Sequence, residues 1–330
     1  MRIMTPCVKL FPTPIGTYQL LQHIERAGRV CYKSEDKITE DSAEKFVSKL
    51  IRNGHTSVLE HGNMILWPSK GTVLWIQAIL GEQLRKGKKP YLRLDNDEAQ
   101  PLVSGNARAW LNFVTDILDD PTVPETAPEE FVHFVLDNTW LFGHLNGELF
   151  NPIYVGSYYP ENSLNPQIFN MELFSETQKK RHSQLTFRIL TDRGMTHELV
   201  RHRTLCFTQE STRYCNYADS RFGTEITVVS PVNPAFTESQ HAAWLKSCKA
   251  AEKAYFKMLA LGATPQSARA VLPTSLKAEI VVSGTIEDWE RFVKLRSSKQ
   301  AHPEMQWLAE GIRILLVSAN FERSWGDLNG

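Results

Sequence analysis

The chain has 330 residues, of which 37 are Lys or Arg and 37 are Asp or Glu, so its formal net charge is zero. With 42% hydrophobic and 22% charged residues it reads as a globular protein with a substantial core, in one large domain or two smaller ones. Charge balance argues against broad retention on nucleic acid by phosphate neutralisation, while leaving room for a local cluster that holds a small anion.

The opening MRIMTPCVKLFPTPIG has no apolar run of signal-peptide length before its prolines, and IRILLVSA from Ile312 is far short of a membrane span. Helical spacing of Leu20, Leu21, Ile24 and Ala27 predicts a helix over TYQLLQHIERAG, stopped by Gly28. DSAEKFVSKLIRNG predicts a second, with a capping box from Asp41 to Glu44, an apolar stripe of Phe46, Val47, Leu50 and Ile51, and Gly54 at its end. HTSVLEH follows directly. From about residue 67 to 176 the texture changes to an inserted lobe within a single catalytic domain. Helical pieces at GNARAWLNFVTDIL and EEFVHFVLDNTWLF are separated there by long loops, GEQLRKGKKPYLRLDNDEAQP, DDPTVPETAPEE and NPIYVGSYYPENSLNPQ.

Regularity returns at LTFRIL, whose alternation predicts a strand, and Asp192 is placed to cap a helix through MTHELVRHR. ITVVSP from Ile226 predicts another strand, and Thr237 to Leu261 a long amphipathic helix carrying Trp244, Leu245, Cys248, Ala251, Tyr255, Met258 and Leu259. ATPQSARAVLP predicts a short helix with Thr264 as cap and Pro265 as first residue. AEIVVSG is a strand, TIEDWERFVKLRS a helix opened by Thr285 and Asp288, and PEMQWLAEGIRILLVSA the last long helix. Interspersed strands and helices set the class as α/β or α+β, with a mixed sheet flanked by helices.

The chemistry concentrates in RHRTLCFTQESTRY, from Arg201 to Tyr214. HELVRH superficially resembles a zinc-protease signature, but its histidines are five apart. That spacing turns the second ring by about 140° on a helix rather than about 40°, so no metal is expected. Cations at Arg201, His202 and Arg203 suit a helix C-terminus, where they complement the macrodipole, and they also suit a phosphate site. STRY offers a hydroxyl, a backbone N–H and a guanidinium fork in one turn, a compact phosphate clamp. HTSVLEH gathers His55, Ser57, Glu60 and His61, while Arg269 and Arg296 sit beside predicted helix ends. No Gly-rich dinucleotide loop or P-loop is present. The five cysteines, Cys7, Cys31, Cys206, Cys215 and Cys248, are odd in number and widely spaced, which points to reduced thiols in a cytoplasmic protein.

These pieces together resemble the flavin-dependent thymidylate synthases. The family hallmark is Arg-His-Arg, two residues, Ser, four residues, then Ser-x-Arg. Here it stands as Arg201-His202-Arg203, Thr204-Leu205, Cys206, four residues, then Ser211-Thr212-Arg213. RVCYKS from Arg29, HTSVLEH, ARAVLP from Ala268 and LRSSKQAHPEM match further landmarks in order, over roughly residues 15–66 and 180–318, and VSGNARAW from Val103 has a familial look. The resemblance implies that Arg201, His202 and Arg203 contact FAD, with His61 against the flavin and Arg201 also near the nucleotide. It implies that Ser211, Thr212, Arg213 and Arg269 hold dUMP, and that Arg296 faces the uracil and favours loss of its N3 proton. Glu198 falls where a dUMP-contacting Gln is common. The implied reaction is reductive methylation of dUMP to dTMP with NADPH and methylenetetrahydrofolate, in a homotetramer with shared sites.

Cys206 replaces the usual Ser and is read as a small-for-small exchange rather than a nucleophile. Thr285, Glu287 and Arg291 stand where the family often uses asparagines and an arginine to hold flavin. A divergent relative acting on another pyrimidine nucleotide, or a nucleotide- or RNA-binding paralogue without catalysis, are the alternatives.

Overall fold

The structure is a computed structural model that describes residues 1–14, 16–88, 91–96, 101–120, 123, 126–145, 174–220, 223–232 and 235–318. In chain order the strands are β1 (Arg2–Met4), β2 (Cys7–Leu10), β3 (Asn63–Leu66), β4 (Arg93–Asp95), β5 (Leu102–Asn106), β6 (Gln184–Asp192), β7 (Cys206–Gln209), β8 (Thr227–Val229) and β9 (Lys277–Thr285). The helices are α1 (Thr17–Tyr32), α2 (Ser42–Arg52), α3 (Lys70–Arg85), α4 (Ala107–Leu118), α5 (Glu129–Asp137), α6 (Thr139–Phe142), α7 (Glu176–His182), α8 (Arg193–Leu199), α9 (Glu238–Ala260), α10 (Pro265–Ala268), α11 (Ile286–Arg296) and α12 (Pro303–Leu316). Strands and helices mix, as the sequence predicts. They fall into two compact units, Met1–Pro12, Ala27–Asp36 and Leu185–Gly330 against Thr13–Arg26 and Lys37–Gln184.

The first unit is built on a four-stranded sheet of order β2-β6-β9-β7, with β2 antiparallel to β6 and β7 antiparallel to β9. Phe187, Ile189, Ile280 and Val282 of this sheet pack against Trp289, Phe292, Met305, Leu308 and Ile312 of α11 and α12, all essentially dry. The indole N–H of Trp289 donates to the Leu185 carbonyl at 3.1 Å, so even the largest core ring leaves no polar atom orphaned. Truncating Trp289 or Phe292 to Ala would cost about 3–5 kcal/mol. A smaller core collects Tyr217, Ile226, Val228 and Leu276 beneath Cys248 and Tyr255 of α9.

Caps fix where the helices of this unit begin. Asp192 accepts from the Met195 N–H at 2.8 Å and starts α8 at the end of β6. Thr285 and Asp288 form the predicted capping box of α11, and Thr264 caps α10 ahead of Pro265. Strand, cap and helix therefore run without slack.

The second unit pairs a small antiparallel sheet, β3-β5-β4, with α2 to α6. Its core is aromatic: Trp110 lies 4.5 Å from Phe134, and Phe113 meets Phe131 edge-on at 5.9 Å. His182 closes α7 with no exposure, its Nδ1 2.8 Å from the Ser104 hydroxyl on β5.

Three sequence expectations are corrected. α1 does not stop at Gly28 but runs to Tyr32, because Ala27 and Val30 are buried against Val281 and the left-handed residue that ends the helix is Lys33, φ 48°. The Ser34 N–H then reaches the Arg29 carbonyl at 3.2 Å and the Lys33 N–H that of Val30 at 3.4 Å, a Schellman closure. α2 has no Asp41–Glu44 box, since the Asp41 side chain caps nothing. Ser42 instead accepts from the Thr39 N–H and donates to Glu25. GEQLRKGKKPYLRLDNDEAQP is not all loop: its first five residues finish α3 and Arg93–Asp95 pairs with β5. NPIYVGSYYPENSLNPQ lies outside the described residues.

Candidate active site

In the first unit, the chain leaves α8 at Leu199 and turns through Arg201–Arg203, with the Arg201 N–H on the Glu198 carbonyl and the His202 N–H on that of Leu199. The helix thus ends four residues before the expected Arg203, and the cationic triplet lies in the turn just beyond it. Leu205 then plugs into the core over Gly284. A Cβ on that glycine would come 2.3 Å from Leu205 Cδ2, so any larger residue there would force the Leu205 side chain to shift. This close approach seats β7 against β9, with Cys206 opposite Ser283.

The turn brings Arg296 to two other predicted residues, His202 and Glu198, 94 and 98 positions before it. Arg296, the last residue of α11, donates from Nε to His202 Nε2 at 2.8 Å and from Nη1 to Glu198 Oε2 at 3.1 Å. A second, longer bond reaches the Glu198 carbonyl at 3.4 Å. Only 18% of the Arg296 side chain is exposed. His202 accepts, so its Nε2 carries no proton. Burial lowers its pKa to about 4, and the Arg296 charge works the same way. Its ring meets Phe292 edge-on at 4.8 Å. A guanidinium held at three points in a half-buried turn is a fixed positive charge. Arg201 and Arg203 behave differently: both are exposed, and neither side chain has a partner among the described residues.

A second cluster forms where β7 ends. Arg269 Nη1 donates to the Thr212 hydroxyl at 3.3 Å, and Arg213 Nε to the Gln266 side-chain carbonyl at 3.0 Å. The Arg213 N–H folds back on the Ser211 hydroxyl at 3.2 Å, and the Ser211 N–H holds the Cys31 carbonyl at the end of α1. Arg213 also lies over the Tyr214 ring, which packs against Tyr32. Two guanidinium groups and two hydroxyls converge on one exposed turn, a donor set suited to a phosphate.

Beneath that turn lies an ion cluster with no counterpart in the sequence reading. Glu210, immediately before Ser211, has a fully buried side chain 2.8 Å from Lys277 and 3.8 Å from Lys33. Glu279 takes Lys33 at 2.6 Å, Lys277 at 3.2 Å and Arg188 Nε at 2.8 Å, while Arg188 also reaches Glu35 at 3.2 Å. Burial would raise the Glu279 carboxyl, but Lys277, Lys33 and Arg188 outweigh it and hold it at about 2. Burial likewise opposes the charge on Lys277, and Glu210 and Glu279 overcome it and raise its pKa. Burial and the Glu210 charge push the Cys215 thiol up to about 12, so it is inert. The signal was present: Lys277 and Glu279 are two apart on a strand and so share one face. The left-handed Lys33 within RVCYKS is what aims an ammonium at that face.

The remaining predicted residues sit as follows. The Thr285 hydroxyl is spent on the capping box, donating to Asp288 at 2.7 Å, and Glu287 pairs with Arg291 one turn on along α11. In the second unit, His61 ends a 3-10 turn, Thr56–His61, and is 1% exposed. Burial, with help from His23, lowers its pKa to about 3, so its ring is neutral. All five cysteines are free thiols. Among the described residues no helix is long and apolar enough to cross a membrane, and no group of His, Cys, Asp or Glu is arranged to hold a metal ion.

Comparison with known proteins reaches the same segments. A Mycobacterium bovis protein named flavin-dependent thymidylate synthase is 33% identical over 155 residues, covering 42% of this chain and 60% of the relative. Proteins of that name from Mycobacterium marinum and Mycolicibacterium vanbaalenii are each 32% identical, over 154 and 155 residues. The chain thus spans about 60% of the length of the relatives it matches. The family model described as thymidylate synthase complementing protein matches residues 17–67 and 175–319, more than half the chain. The chain belongs to the thymidylate synthase complementing protein family.

Proposed function

We propose that the protein is a FAD-dependent thymidylate synthase, a methyltransferase that converts dUMP to dTMP with methylenetetrahydrofolate as one-carbon donor and NADPH as reductant. The observation that carries this reading is the convergence of Thr212, Arg213 and Arg269 on one hydroxyl-rich turn, with Arg296 held apart by His202 and Glu198. The first group suits a nucleotide phosphate and the second the base of that nucleotide.

The residues fit a flavin dinucleotide as well. Arg201 and Arg203 are exposed, uncommitted cations at the mouth of a turn, suited to its pyrophosphate, and neutral His202 would add no competing charge near it. When bound, FAD would supply hydride chemistry that no side chain can. The chain's own part is to bind, orient and stabilise charge. Ser211, Thr212, Arg213 and Arg269 would fix the dUMP phosphate, and Arg296, unable to lose its proton, would favour departure of the uracil N3 proton and stabilise the resulting negative charge. His202 and Glu198 keep its fork in place, so little reorganisation is needed as charge develops. The family resemblance also supports a cytoplasmic homotetramer with shared sites.

A second reading rests on Glu198. A carboxylate beside Arg296, where the family commonly has Gln, would suit a relative that modifies another pyrimidine nucleotide, and a nucleotide substrate panel separates the two. The deciding experiment is an absorbance spectrum with added FAD, followed by anaerobic NADPH and then dUMP. An oxidised-flavin spectrum that bleaches faster with dUMP, followed by dTMP formation, is expected. No flavin retained at saturating FAD overturns the reading.

A further inference from the structure

Two stretches of the chain repeat one pattern. VSGNARAWLNFV from Val103 and VSGTIEDWERFV from Val282 share Val-Ser-Gly, four residues, Trp, two residues and Phe-Val. The likeness extends to structure that no local pattern dictates. The strand order β3-β5-β4 in the second unit repeats β6-β9-β7 in the first. Arg93 of β4 lies opposite Ser104 as Cys206 of β7 lies opposite Ser283, so the register is the same. A Cβ on Gly105 would meet Leu92 at 2.5 Å, which repeats the contact of Leu205 over Gly284. The Trp110 indole donates to the Met64 carbonyl of β3 at 3.0 Å, as that of Trp289 does to Leu185 of β6. The second unit is therefore built on an internal copy of the frame that carries Arg296.

The copies differ where the helix after the glycine begins. Equivalent positions hold Thr285, Glu287 and Arg291 on α11, and Asn106, Arg108 and Asn112 on α4. On α11 these side chains are consumed internally, Thr285 by Asp288 and Glu287 by Arg291. On α4, Asn106 is spent as the cap, but Arg108 and Asn112 share a face one turn apart and cannot neutralise each other. Arg108 Nη1 reaches Glu60 at 2.6 Å, its other N–H groups have no partner among the described residues, and Asn112 is exposed. Glu60 directly precedes His61, and the Ala107 N–H donates to the Gly62 carbonyl at 2.7 Å, so the start of α4 is fastened to the His61 turn. At the place of Arg296 the copy has Ile117, which is buried.

We propose that Arg108 and Asn112 hold the flavin, and that the duplicated frame has divided its work. The copy in the first unit keeps Arg296 for the nucleotide base, and the copy in the second unit keeps the cofactor contacts. This rests on the FAD reading above. Arg108 offers a permanent cation in a planar fork, and Asn112 an amide donor, to acceptor atoms of the flavin, either its ring carbonyls or its pyrophosphate. Glu287, in the equivalent place on α11, would set a carboxylate against those atoms.

The test is FAD binding by the full chain, read as quenching of flavin fluorescence, which needs no turnover. Arg108→Ala and Asn112→Asp should each weaken FAD at least ~10-fold, the second by recreating the self-paired arrangement of α11. Glu287→Ala combined with Arg291→Ala should stay within about twofold of the parent, as expected for exposed residues remote from the ligand. Asn112 is exposed, so its variant remains a test if Arg108→Ala unfolds on losing Glu60, and thermal unfolding without FAD checks both. Riboflavin and ADP serve as half-ligands: a parallel loss of riboflavin assigns the pair to the ring, and a parallel loss of ADP assigns it to the pyrophosphate. No FAD uptake by the parent protein overturns the synthase reading and the inference with it. Uptake by the parent with unchanged affinity in either folded variant, or a tenfold loss in the Glu287 and Arg291 double variant, overturns this inference alone.

Discussion

The two arginine clusters of the first unit use the same side chain in opposite ways. Arg296 is half-buried and tied at three points to one turn. Arg213 and Arg269 are exposed, each holding one neutral partner through one bond. Where charge must develop at a defined atom, a fixed donor stabilises it without reorganising. Where an already charged, mobile phosphate must be caught, exposed forks suffice, and their single bonds to Gln266 and Thr212 are easily exchanged for stronger charge-assisted ones. The proposed clamp is not loose at its root, however, because Glu210 anchors the turn in the ion cluster below.

The largest effect should follow from breaking the rigid cluster. Arg296→Ala is expected to lower kcat by ~10²–10³, about 3–4 kcal/mol, in a dTMP-formation assay. Arg296→Lys should recover little, because a single ammonium cannot hold Glu198 and His202 together.

Next comes the root of the clamp. The Glu279 carboxyl is held at about 2 against an ordinary 4.5. Its folded value lies below its unfolded one, so the stabilisation is complete above about pH 4.5 and is lost as pH falls toward 2. The shift corresponds to roughly 3 kcal/mol. Glu279→Gln should remove a similar amount at pH 7 and flatten the acid limb of a denaturation curve. An unchanged acid limb would show that the cluster does not support the turn.

Arg213→Ala should act on capture rather than turnover. Loss of one charge-assisted bond of about 1.5–3 kcal/mol predicts ~10- to 100-fold higher KM for dUMP at nearly constant kcat. A kcat loss equal to that of Arg296→Ala would erase the contrast between the clusters.

His202→Phe keeps the packing on Phe292 but removes the acceptor for Arg296. A loss of about 1 kcal/mol, or fivefold in kcat, is expected. The native His202 value of about 4 lies below the ordinary 6.5, so its contribution to stability is full above 6.5 and falls as pH drops toward 4. That decline should be absent in His202→Phe. Smallest of all, Cys206→Ser should retain most activity, since the thiol sits opposite Ser283 in a strand pair and holds no place in either cluster.

Much of this could be read along the chain. Asp192, Thr264, Thr285 with Asp288, and the alternation of LTFRIL and AEIVVSG announce their elements because caps and periodicity are local. The spacing of RHR, Ser211 and Arg213 named the family's landmark residues for the same reason. Expectations failed where a distant partner decided the outcome: Gly28 stays helical because Val281 packs on that turn, and Ser42 turns to Glu25 while Asp41 goes unused.

The sequence by itself determined most of the helices, three of the nine described strands, the caps at Asp192, Thr264 and Thr285, and the stock of cations and hydroxyls, since these depend on neighbours within a few residues. Only the tertiary structure decided which arginine is rigid and which is free. Arg296 gains its fixed geometry from His202 and Glu198 nearly a hundred residues away, and the buried acids beneath Ser211 are tolerable only because folding carries Lys33, Arg188 and Lys277 to them. Burying charge is unfavourable unless partners arrive from elsewhere in the chain, and contacts of that kind have no local signature.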